Sequence, residues 1–161
     1  MQDCRCRIAN QSASLIASVP KLCSNPSAEN HKKLMPEKND FAEIFKKLKA
    51  IFKPHAPKLI VVHDTDTNYY LDTKYVMKNK HRLFFGAVRI GKAYVSFHLM
   101  PVYACTELLG SMSPELKKHM QGKSCFNFKT VDEKLFKELA QLTKVGLAKF
   151  SDPEFLEKIT R

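Results

Sequence analysis

The chain has 161 residues, 44% of them hydrophobic, which is enough for one core and short for two domains. No apolar run approaches the roughly 18 to 20 residues that a membrane-crossing helix needs. The formal charge of +11 favours encounter with polyanions but says nothing about the fold.

Residues 1–36 have no sustained apolar period and are rich in Ser, Asn and Pro, so they are expected to be a disordered N-terminal extension. Arg5, Arg7 and Lys21 flank a short apolar patch, Leu15 to Val19, in the manner of an organelle-targeting leader, but the patch is too short for a secretory signal. Cys4 and Cys6 form a lone CxC, a weak soft-metal pattern. With Cys23, Cys105 and Cys125 they make an odd set without a CxxC pair, which reads as reduced thiols in a cytoplasmic protein.

The folded part is expected over residues 37–161. Asp40 is placed to cap a helix from Phe41 to Lys53, where Phe41, Ile44, Phe45, Leu48, Ile51 and Phe52 recur at helical spacing and Pro54 ends the run. Leu59 to His63 and Tyr69 to Val76 have the β-branched and aromatic content of strands, with DTDTN as the turn between them. A polar loop, KNKHR from Lys78 to Arg82, leads into LFFGAVRIGKAYVSFHLMP, Leu83 to Pro101, two apolar runs expected to form a central β-hairpin.

If Gly91 and Lys92 are the two turn residues, with Gly91 supplying positive φ, then Val88 faces Val95 and Gly86 faces Phe97 on an apolar side. The other side then carries Arg89 opposite Tyr94, Ala87 opposite Ser96 and Phe85 opposite His98. A slip of one residue would exchange the two faces. Beyond the hairpin, short helices are expected over Val102 to Leu109 and Pro114 to Met120, the second capped by Ser113. Ser124 to Phe128 reads as a fifth strand. Asp132 caps a long helix to about Phe150, with Leu135, Phe136, Leu139, Leu142, Val145 and Leu147 facing the sheet, and a last short helix begins after Ser151.

Several motifs resemble catalytic or binding sequences and fail on inspection. Asp64 and Asp66 follow an apolar strand as in haloacid-dehalogenase phosphatases, but no later acidic pair completes a Mg²⁺ site. As an EF-hand loop the same stretch has Tyr69 at the Gly position and Tyr75 at the bidentate Glu position. Gly122, Lys123 and Ser124 end like a phosphate-binding loop, yet Lys117 stands where its first Gly belongs and the expected order is helix, loop, strand. Cys105 and Cys125 have no identifiable base and read as small buried hydrophobes.

The segments GAVRIGKAYVSFHLMPVY, LLGSMSPELKKHMQGKSCFNFK and DEKLFKELAQLTKVGLAKF resemble the YdhG-like family of bacterial domains. That resemblance spans roughly Asp40 to Phe150. It implies a two-layer α+β sandwich with an antiparallel sheet of about five strands, N- and C-terminal helices on one face, and an outline similar to frataxin. It also brings an iron-chaperone role into view. Iron carriage of the frataxin kind relies on oxygen ligands from an acidic helix; here the first helix offers Asp40 and Glu43 against Lys46, Lys47, Lys49 and Lys53.

The sequence is therefore read as a non-catalytic module without a cofactor. It is expected to bind a small molecule or a protein on the sheet face bearing Phe85, Tyr94, His98, Tyr103 and Asn127. The alternatives are a metal chaperone and weak nucleic-acid association through basic clusters such as Lys74, Lys78, Lys80 and Arg82.

Overall fold

A computed structural model describes residues 38–160, and the side chains of residues 40–160. The expectations for residues 1–36, including the leader-like patch and the CxC, lie outside the described residues.

The fold is α+β. Six antiparallel strands form one sheet: β1 (Ile60–Asp64), β2 (Asn68–Val76), β3 (Arg82–Ile90), β4 (Val95–Leu99), β5 (Met120–Gln121) and β6 (Cys125–Phe128), in the spatial order β1-β2-β3-β4-β6-β5. The helices are α1 (Lys38–Phe52), α2 (Met100–Ala104), α3 (Thr106–Ser111), α4 (Pro114–Lys118), α5 (Glu133–Lys149) and α6 (Pro153–Ile159). Among the described residues no helix is long and apolar enough to cross a membrane.

The core lies between one sheet face and the pair α1 and α5. Ile44, Leu48 and Phe52 are fully buried along α1, and Phe52 stacks on Phe97 of β4 at 4.7 Å with the rings 2° from parallel. Phe136 of α5 meets Phe128 of β6 edge-on at 5.1 Å. Each such ring contact adds to the larger gain from removing apolar surface from water.

Three expected helix starts hold as predicted. Ser113 Oγ accepts the Leu116 amide at 3.1 Å, Asp132 Oδ1 accepts that of Leu135 at 3.0 Å, and Asp152 Oδ1 accepts that of Glu154 at 3.0 Å. Asp40 is not a cap, because α1 begins at Lys38 and holds Asp40 in its first turn, where a carboxylate complements the helix dipole. Val145 is 37% exposed instead of facing the sheet, and Thr143 and Gly146 take its place in the buried stripe. The helix expected over Val102 to Leu109 is two, because extended backbone at Cys105 separates α2 from α3.

The hairpin differs from expectation in two respects. Its turn is the four-residue loop Gly91 to Tyr94, closed by the Gly91 amide donating to Tyr94 O at 2.8 Å, and Gly91 does not have positive φ. The register consequently pairs Val88 with Phe97 and Ala87 with His98. The shift is by two residues, so Val88, Val95, Phe97 and Leu99 still face the core.

The second difference reverses part of a face. Leu71 pairs with Gly86 but Asp72 pairs with Phe84, so β3 carries an extra residue there. Such a bulge flips side-chain phase beyond it. Phe85 therefore turns into the core, 0% exposed, edge-on to Phe52 at 6.1 Å and to Phe150 at 6.0 Å. Phe84 takes the outer face instead and lies against Tyr70 at 4.8 Å.

Candidate functional site

The outer sheet face is assembled from cross-strand rows. One row runs Tyr70, Ala87, His98, Cys125 and Gln121; the next contains Asn68, Arg89, Ser96 and Asn127. Alternation along each strand turns these side chains away from the α1 and α5 layer. Tyr70, His98, Cys125 and Asn127 remain half-buried and Arg89 and Gln121 exposed. The excursion between β4 and β5 folds towards the helices, with Pro101 seated against Gly146 of α5 at a point where a Cβ would meet it at 2.6 Å.

His98 sits at the centre. Its Nε2 is 3.5 Å from Cys125 Sγ, and that thiol donates to Asn127 Oδ1, also at 3.5 Å. The amide of Asn127 in turn donates to Gln121 Oε1. Burial first, and then the Arg89 guanidinium, lower the His98 pKa, while burial raises that of Cys125. Both effects favour neutral forms, the opposite of the thiolate and imidazolium pair that a cysteine nucleophile needs. The pair is built for hydrogen bonding.

A cavity of about 920 Å³ opens at the hairpin end of this face. Arg89, Tyr94, Ser96 and His98 line it from the outer side, Lys92 from the loop, and Phe41, Thr67 and Ile90 supply the rest of its wall. No carboxylate is among these residues. Ser96 Oγ is engaged with Arg89 O at 3.3 Å, which ties the two strands together at the mouth.

The expected site residues thus separate. Tyr94 and His98 share the hairpin-end cavity, and Asn127 stands beside them on the same face as the cross-strand partner of Ser96. Phe85 is excluded by the bulge that buries it. Tyr103, 51% exposed, lines a different cavity formed by α2, α3 and the β5–β6 turn. Arg89, Lys92 and Thr67 were not among the expected residues; the legible signal for Arg89 was a cation interrupting the apolar run Leu83 to Ile90.

No family model, curated protein or solved structure matches the chain.

The acidic turn that resembled phosphatase and EF-hand loops has a local role. Thr65 Oγ1 accepts the Asn68 amide at 3.0 Å and donates to Asn68 O at 3.1 Å, while Asp64 forms an ion pair with Lys49 of α1. Gly122, at φ 74°, makes the turn between β5 and β6, a conformation that disfavours any residue with a Cβ. Among the described residues no group of three His, Cys, Asp or Glu side chains is placed to hold a metal ion.

Proposed function

We propose that the chain is a non-catalytic, YdhG-like binding module that takes a small, polar anionic molecule at the hairpin end of its outer sheet face. The observation that carries this reading is the lining of the 920 Å³ cavity: Arg89 and Lys92 supply positive charge, Tyr94 and Thr67 supply hydroxyls, His98 supplies an imidazole, and among the described residues no acid lines it. A volume of this size is within the range of small-molecule sites, about 300 to 1,000 Å³. Arg89 offers a planar fork suited to phosphate or carboxylate. The layering of the sheet against an N-terminal and a C-terminal amphipathic helix supports the family reading.

Calorimetric titration with inorganic phosphate, citrate and AMP tests the proposal. At least one should bind, with affinity that weakens as salt is added, and Arg89→Ala or the double variant Tyr94→Ala with His98→Ala should lose at least roughly tenfold in affinity while retaining the wild-type circular dichroism spectrum. Silence from all three probes, or unchanged affinity in the double variant, contradicts it.

A further inference from the structure

A second cavity, of about 700 Å³, lies at the other end of the sheet. Its walls are apolar: Met100 from α2, Leu109 from α3, Met120 from β5 and Ile159 from α6. All four pack against the core while staying partly exposed. Sites of this size with apolar walls and a few convergent polar groups are the usual form of a small-molecule pocket.

The polar side chains here are few: one ammonium and two hydroxyls. Lys123 leaves the β5–β6 turn immediately after Gly122, and its ammonium stands 5.3 Å from the ring centroid of Tyr103. Among the described residues Lys123 forms no ion pair, and the Tyr103 hydroxyl makes no hydrogen bond. A cation resting on an exposed aromatic face is held weakly and remains available to an anion. Thr106 adds one further hydroxyl to the lining, and among the described residues no carboxylate lines it.

We infer that this cavity binds an amphipathic carboxylate, a molecule with an aliphatic or aromatic body and one acid group. The body would lie along the Met100, Leu109, Met120 and Ile159 walls, where two methionines adapt readily to different shapes. The acid would meet the Lys123 ammonium, with the Tyr103 hydroxyl as a second donor. This pocket differs from the hairpin-end site in its apolar lining and in needing neither Arg89 nor His98, so the two proposals stand or fall separately.

The test uses the full chain labelled with ¹³C at methionine methyls and titrated with octanoate, the resonances of Met100 and Met120 being assigned through Met100→Leu and Met120→Leu. Those two signals should shift saturably while the Met77 signal stays in place. Octanol, which has the same body without the charge, and the Lys123→Met variant with octanoate should each show at least tenfold weaker binding. Tyr94→Ala with His98→Ala should leave octanoate affinity unchanged. Absence of shifts at Met100 and Met120, equal affinity for octanol, or full affinity in Lys123→Met overturns the inference; proton spectra of each variant establish that its fold is retained.

Discussion

At the scale of single residues, Gly86 shows how tightly the hairpin is fitted to α1. A Cβ there would lie 2.6 Å from Phe52 Cζ and 2.8 Å from His98 O, and the second contact is with backbone that has no rotamer to yield. Overpacking of this kind costs about 1 to 3 kcal/mol. Gly86→Ala should therefore lower the melting temperature by roughly 2 to 4 °C for each kcal/mol lost in a chain of this length; an unchanged midpoint in thermal unfolding would mean that the approach of Phe52 is looser. His98 makes a different kind of prediction. Its folded-state pKa is lowered from 6.5 by burial and by Arg89, so the unfolded chain binds the proton more readily. Stability is then full above the unfolded pKa and is lost as pH falls towards the folded one. His55 is shifted in the same direction by burial, Lys58 and Lys144. Urea unfolding near pH 7.5 and near pH 5 should show an acid loss that shrinks in His98→Gln and shrinks further when His55→Gln is added.

Among the elements, the short helix α4 is set by a single residue that acts twice. Ser113 Oγ accepts the Leu116 amide, while its own hydroxyl and amide both donate to Glu138 of α5 at 2.7 Å. The cap thereby joins the β4–β5 excursion to the long helix. Ser113→Ala should cost about 1 to 2 kcal/mol, and a cycle with Glu138→Gln should show coupling of at least roughly 0.5 kcal/mol, measured by chemical denaturation; additive losses would show that the two residues act independently. Caps of this type are legible in a sequence because a Ser or Asp side chain accepts a backbone amide only two or three positions on, which is why α4, α5 and α6 begin where expected. The long helices are legible for a similar reason, since apolar positions at helical spacing mark most of their buried stripe, with Ile51 of α1 only partly buried and Val145 of α5 exposed. Strand phase is less so. The bulge at Phe85 and Gly86 depends on how β2 meets β3, and no local signal separates Phe84 from Phe85 as the inward ring. The two-residue strand β5 exists only through its pairing with β6. Tyr94 and His98 were legible as neighbours because they stand four residues apart on one extended segment, and Phe85 was misplaced because the bulge changes the phase within β3.

On the scale of the whole molecule, charge and surface have to be weighed together. The net charge of +11 predicts retention on a heparin column at low salt, with elution at moderate ionic strength if the contacts are diffuse. The logarithm of the apparent affinity for an RNA or DNA oligomer should fall linearly with log salt, and in the same way for unrelated sequences. Sequence-dependent binding that persists at high salt would point to a built interface instead of a general electrostatic field. Among the described residues the sheet has one face packed by helices and one that they leave uncovered. The packed face is accounted for by α1, α5 and the rings of Phe52, Phe97, Phe128 and Phe136. The available face concentrates Arg89, Tyr94, Ser96 and His98 at one end. Amide ¹H–¹⁵N shift mapping during titration with AMP reads whether this face is a recognition surface. Perturbations should cluster at Arg89, Tyr94, Ser96 and His98 and extend to Asn127; shifts confined to α1 and α5, with the β3–β4 hairpin silent, would show that recognition does not occur there.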